Sequence, residues 1–176
     1  MEMWLYDEDR YPSGTAGGMV TENRELGIHY LRLNKAQGEF KFSEEVISAF
    51  ILEFKEGKIA RKERIFADAA VPAGCEIWYF TSEIMNSGSF YNGNPYADNA
   101  NPETVERFIE LTHKRYVEKC GDYIKDGTIK GIFTDEPHHG GVMNGFAISN
   151  ENGTHLVPLP KDLFKHFKAE YGYELE

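Results

Sequence analysis

WLYDEDRYPSGTAGG, residues Trp4 to Gly18, decides how this chain is read. It starts as an apolar strand, passes through Asp7, Glu8, Asp9 and Arg10, and ends in a loop of Pro, Ser, Thr, Ala and Gly. A short continuous apolar run that stops in charge is the pattern of a strand buried on both faces, as in a parallel sheet. GIFTDEPHHGG, residues Gly131 to Gly141, repeats the design, with an apolar run over 129–134 followed by Asp135, Glu136 and Pro137. Parallel α/β architectures gather their ligands at the carboxyl ends of strands, so both carboxylate sets fall where a site is built.

Working outward, the segment after the Gly-rich loop turns to β texture. Residues 29–33, 46–55 and 58–66 are rich in Ile, Val and Phe, and Glu56-Gly57 between the last two is a hairpin signal. This predicts an antiparallel unit over about residues 28–81. EIWYFT, residues 76–81, reads equally as its last strand or as another parallel strand. Asn101-Pro102-Glu103 opens a helix with a cap, a proline at the first position and an acid in the first turn. Val105, Phe108, Ile109, Thr112, Tyr116 and Val117 keep helical spacing, which predicts one helix through about Cys120. Helix followed by the 129–134 strand is a βα-type step. A last helix is predicted from Lys161 to about Tyr171, stopped by Gly172.

The length of 176 residues is that of one ordinary domain. A net charge of −10, from 29 acidic and 19 basic residues, disfavours a polyanion-binding surface, so no nucleic-acid partner is expected. No run of 18 apolar residues exists in the sequence, and no membrane partner is expected. Cys75 and Cys120 fit no metal or redox spacing and read as reduced thiols. The start has no basic segment followed by an apolar core, so a cytoplasmic location is the default expectation.

Two carboxylates above a low-dielectric core push each other's proton affinities apart, giving a donor and an ionised partner, the requirement for cleaving an acetal. That chemistry makes Glu136, Glu8 and Asp7 the candidate catalytic residues. The competing reading has Asp7, Glu8 and Asp9 capping turns and pairing with Arg10, and Asp135 capping the loop before Pro137. Sugar rings stack on aromatic side chains; Tyr11, Tyr91 and Tyr96, in loops, are the candidates, while Trp4 and Trp78, inside apolar runs, are assigned to the core. Arg10, Ser13, Asn92, Asp98, Asp135 and His138 complete the candidate substrate-binding set. His138-His139 lacks the spacing and third ligand of a metal centre, so no metal and no cofactor are expected. YPSGT is not a G-x-S-x-G elbow, and GTAGG is not G-x-G-x-x-G, which disfavours serine nucleophile and nucleotide chemistry.

WLYDEDRYPSGTAGG, YNGNPYADNANPETVERFIELTHKRY and GIFTDEPHHGG, in that order, resemble a bacterial group of TIM-barrel glycoside hydrolases related to the alpha-L-rhamnosidase type. The resemblance spans about Trp4 to Gly141. It implies an α/β fold, part of a (β/α)8 TIM-type barrel with an antiparallel β insertion: residues 1–27 and 82–176 form the partial barrel, and 28–81 the insertion. It also implies that Asp7, Glu8, Arg10, Ser13, Gly14, Gly17, Gly18, Asp135, Glu136 and Pro137 line a sugar site, with Glu136 as the acid. A whole barrel of this kind takes about 250 residues. The chain is therefore expected to supply part of one, with the remainder of the barrel or a second copy as partner. The activity so implied is cleavage of O-glycosidic bonds in a carbohydrate substrate; the alternative is a noncatalytic carbohydrate-binding or structural fragment.

Overall fold

Met3–Tyr6 forms a strand, β1, in a computed structural model that describes residues 2–84, 89–138 and 157–175. The other strands are β2 (His29–Lys35), β3 (Glu39–Phe40), β4 (Val46–Lys55), β5 (Lys58–Ile65), β6 (Ala69–Ala70), β7 (Cys75–Ile84), β8 (Ile129–Phe133) and β9 (Val157–Pro158). The helices are α1 (Pro102–Leu111), α2 (His113–Lys125) and α3 (Leu163–Tyr171). Two compact units share them, Met1–His29 with Ile84–Asn150 and Tyr30–Glu83 with Glu151–Glu176.

In the first unit β1 and β8 pair in parallel, Trp4 opposite Gly131, Leu5 opposite Ile132 and Tyr6 opposite Phe133. A Cβ on Gly131 would stand 2.5 Å from the Trp4 ring, so the glycine is what lets the indole lie across β8. The expected double burial of β1 is not found: Trp4 is 66% exposed and Met3, Tyr6 and Phe133 also face outward. Trp4 is thus no core residue, because this parallel pair has no further strand beside it among the described residues.

Asn101 caps α1 by accepting from the Glu103 N–H at 3.1 Å, and Pro102 fills the first turn. Leu111 and Phe108 then pack with Ala16, Val20 and Ala97. Replacing Asn101 with alanine is expected to cost about 1 kcal/mol, read as a lowered midpoint in urea unfolding. The helix predicted through Cys120 is broken at Thr112, whose hydroxyl donates to the Phe108 carbonyl at 2.7 Å while its backbone leaves ideal helix at ψ −77°. The Phe108 carbonyl thus accepts from both the hydroxyl and the N–H of Thr112, and this back-bonding accompanies the bend between α1 and α2.

The second unit is built on a sheet of order β5-β4-β7-β2-β9. The pairings β4–β5, β4–β7 and β2–β9 are antiparallel. Glu56 and Gly57 both take positive φ, 52° and 75°, the conformation of a type I′ hairpin that matches strand twist. Residues 76–81 belong to β7, paired with β4, which settles them as part of the antiparallel sheet. Phe40, Ala49 and Ile77 form its core, with Ile51, Ile65 and Tyr79 packed against them.

The expectation of an α/β fold made from part of a (β/α)8 TIM-type barrel is therefore corrected. A parallel barrel needs each strand followed by a helix that returns the chain to the same sheet. Here β1 is followed by a loop and two short 3₁₀ turns, Val20–Glu22 and Arg24–Leu26, and β4 pairs antiparallel with β5 on one side and β7 on the other. The structure is mostly antiparallel β, with β1–β8 its parallel pair among the described residues.

Candidate functional site

The parallel register brings the two acidic segments to one end of β1–β8, in the first unit. Asp7 continues the ladder, its N–H donating to the Phe133 carbonyl at 3.3 Å. Its buried carboxylate accepts from the Ser13 hydroxyl at 2.7 Å and from the Thr134 hydroxyl at 2.7 Å, with His113 Nε2 at 3.9 Å. Ser13 is a junction: its N–H donates to the Asp135 carbonyl at 3.3 Å, its oxygen accepts from the Asp135 N–H at 2.9 Å, and its carbonyl accepts from the Tyr96 hydroxyl at 2.8 Å.

Glu8 explains the small-residue loop. One carboxylate oxygen accepts from the N–H groups of Gly14, Thr15 and Ala16 at 3.2, 2.8 and 2.7 Å and from the Thr15 hydroxyl at 2.9 Å. The other accepts from Asp9 and Gly17 N–H at 3.0 and 2.6 Å. Gly14, Ala16, Gly17 and Gly18 all take positive φ, which turns successive N–H groups inward to make an anion nest. Gly18 is also pinned sterically, since a Cβ there would meet the Tyr91 carbonyl oxygen at 2.3 Å. The loop is a receptor for a carboxylate carried by its own chain.

The candidate acids thus separate into two pairs. Asp7 and Glu8 are buried, and their oxygens are taken up by the fold. Asp135 is half-buried and Glu136 exposed, and each receives a phenol: Tyr6 donates to Asp135, and Tyr11 to Glu136. The Tyr6 phenol is pushed up to about 12, first by its bond to Asp135, then by burial and the neighbouring carboxylate charges. The Tyr11 phenol is raised by its bond to Glu136.

The other candidate side chains support rather than face a ligand. Tyr91 and Tyr96 are fully buried, so they are not stacking platforms; the Tyr91 hydroxyl donates to the Tyr11 carbonyl at 3.1 Å. Asp98 is buried and accepts from the Ala100 N–H at 3.1 Å. Asn92 donates to the Gly17 carbonyl at 2.6 Å, fastening the nest from outside. His138 stacks on Tyr96 at 5.0 Å, and its carbonyl accepts from Asn99. Arg10 leans over Phe90 at 5.6 Å, leaving Tyr11, 40% exposed, as the loop aromatic open to solvent. His139, Gly140 and Gly141 lie outside the described residues.

Burial gives Tyr96 a testable signature. Its phenol is pushed up to about 12 from 10.0, chiefly by burial, so the folded chain keeps a proton that the unfolded chain releases. The resulting stability is complete below pH 10 and is lost as pH rises through about 12. Urea titrations at stepped alkaline pH should show the midpoint falling across that window, together with the rise of phenolate absorbance.

A pocket of about 440 Å³ opens beside this network, lined among others by Tyr6, Asp7, Asp9, Met19, Asn92 and Tyr116. Tyr6 joins the pocket to the rim, because the same side chain lines the one and bonds Asp135 on the other. Tyr116 reads from sequence as a helix-face position, and neither it nor Thr134 nor His113 reads as a site residue; Thr134 directly precedes the Asp135-Glu136 pair, and that position was its available signal. Among the described residues no three His, Cys, Asp or Glu side chains are grouped to hold a metal, and no helix is long and apolar enough to cross a membrane.

No family model, curated protein or solved structure matches the chain. The site has to be read from its own chemistry.

Proposed function

We propose that this protein is a glycoside hydrolase that cleaves an O-glycosidic bond at the β1–β8 rim, with Glu136 as proton donor and Asp135 as its partner. The observation that carries the reading is the division among the acids: two are consumed in holding the loop, and two, Asp135 and Glu136, stand at the rim with phenol partners. Asp135, the second carboxylate at the rim, stands where it can face a developing positive charge. Asp7 and Glu8 then shape the rim instead of touching substrate. The motifs that resemble glycoside hydrolases support the same chemistry.

The experiment is a panel of alkyl and aryl glycosides, α-L-rhamnosides included, assayed with the wild type and with Glu136→Gln, alongside calorimetric binding of the matching methyl glycosides. Turnover of the alkyl glycosides by the wild type that Glu136→Gln cuts at least about 100-fold is the expected result. The second reading, a noncatalytic carbohydrate-binding site, is favoured by the burial of Asp7 and Glu8, which takes two of the three candidate catalytic acids out of reach of a substrate. Sugar binding without turnover in either protein would establish it, and no binding at all would refute both.

A further inference from the structure

We infer that the pocket beside the rim discriminates its sugar by charge, taking a neutral or amine-bearing glycosyl group and rejecting uronates and sulfated sugars. The inference rests on the glycoside-processing reading above and adds the substrate class. At about 440 Å³ the pocket is in the size range of small-ligand sites. Its wall offers the rings of Tyr6 and Tyr116, the latter fixed because its hydroxyl donates to the Tyr6 carbonyl at 2.7 Å, together with the exposed Met19 side chain. These are surfaces for the C–H face of a sugar ring.

Charge on the remaining wall is of one sign. Asp7, Glu8 and Asp9 line the pocket, and among the described residues no Lys, Arg or His does. The three are not equivalent. The Glu8 charge is met by the inward N–H groups of the nest, and the Asp7 charge by the Ser13 and Thr134 hydroxyls with His113 at 3.9 Å. Asp9 has Arg10 at 3.9 Å, a guanidinium that also lies over the Phe90 ring, and the Asp9 carboxylate stays 56% exposed along the pocket lining. A second anion entering there meets three carboxylates lining one pocket, whereas a hydroxyl or ammonium group finds an acceptor. Asp9 is therefore the specificity-determining residue.

The test is calorimetric binding of three matched sets of methyl glycosides, gluco, galacto and rhamno, each as the neutral sugar with its amino and its uronate or sulfated counterpart. The anionic member is expected to bind at least tenfold more weakly than its neutral partner at low salt. The gap should narrow between about 0.02 and 0.5 M salt, as screening shortens the reach of the Asp9 charge. Asp9→Asn should narrow it at low salt as well. Anionic sugars that bind as tightly as neutral ones overturn the inference while leaving glycoside processing intact. A gap that survives both high salt and Asp9→Asn also overturns it, because shape would then be doing the selecting. Absence of binding by every sugar overturns the inference together with the reading beneath it.

Discussion

Replacing Glu8 with alanine is expected to destabilise the first unit by about 3 to 5 kcal/mol, the cost typical of removing one partner from a buried ionic network. Five backbone N–H groups and the Thr15 hydroxyl converge on this carboxylate. Hydrogen bonds to a charged group contribute roughly 1.5 to 3 kcal/mol each, and buried donors left unmet cost about as much. The sum is not realised, because removal of the charge also relieves its own desolvation and the loop can relax. A shift of the thermal midpoint by roughly 6 to 20 °C follows for a chain of this size. Calorimetry of Glu8→Ala reads it directly. Formate or acetate added to the variant should recover part of the loss by filling the nest, which a generic packing defect would not do. A cost under about 1 kcal/mol, within the usual surface range, would show that water replaces the carboxylate and that Glu8 is free for chemistry.

What sequence revealed here follows from how local each rule is. The Asn101-Pro102 start of α1 and the Glu56-Gly57 hairpin depend on a few neighbouring dihedrals, and both stand where the residue types put them. The acidic segments meet at one end because β1 and β8 are parallel, which their apolar runs signalled. The sheet as a whole was not legible, because an apolar run does not state what lies beside it. The partial barrel that the resemblance implied is what fails, because β1 and β8 pair only with each other among the described residues, while β4, β5 and β7 pair antiparallel within the stretch expected to do so. Glu8 shows the limit at the level of the site. Its residue type and position read as catalytic or as a turn cap, and the deciding fact, positive φ at Ala16 between glycines, is a tertiary choice that composition does not display. Tyr91 and Tyr96 failed as sugar platforms for a related reason: a loop aromatic can as well be the pillar on which another loop rests.

Glu136→Gln is expected to lower kcat/KM by about 100- to 10,000-fold, the usual worth of a positioned general acid. Glutamine keeps the size of the side chain and still offers Tyr11 an acceptor, but it has no proton to give to the departing oxygen. Glu136 is exposed and stands outside the Ser13–Asp7–Asp135 network that holds the rim, so the substitution should leave the unfolding midpoint within about 0.5 kcal/mol of wild type. The size of the rate loss must depend on the leaving group. An alkyl alcohol departs only when protonated, whereas a nitrophenolate leaves as a stable anion, so the loss should be greatest for alkyl glycosides and small for nitrophenyl ones. This gradient separates a proton donor from a residue that only binds sugar, whose removal would weaken every substrate alike. A uniform loss across leaving groups would take Glu136 out of the acid role, and turnover within tenfold of wild type on alkyl glycosides would take it out of the reaction.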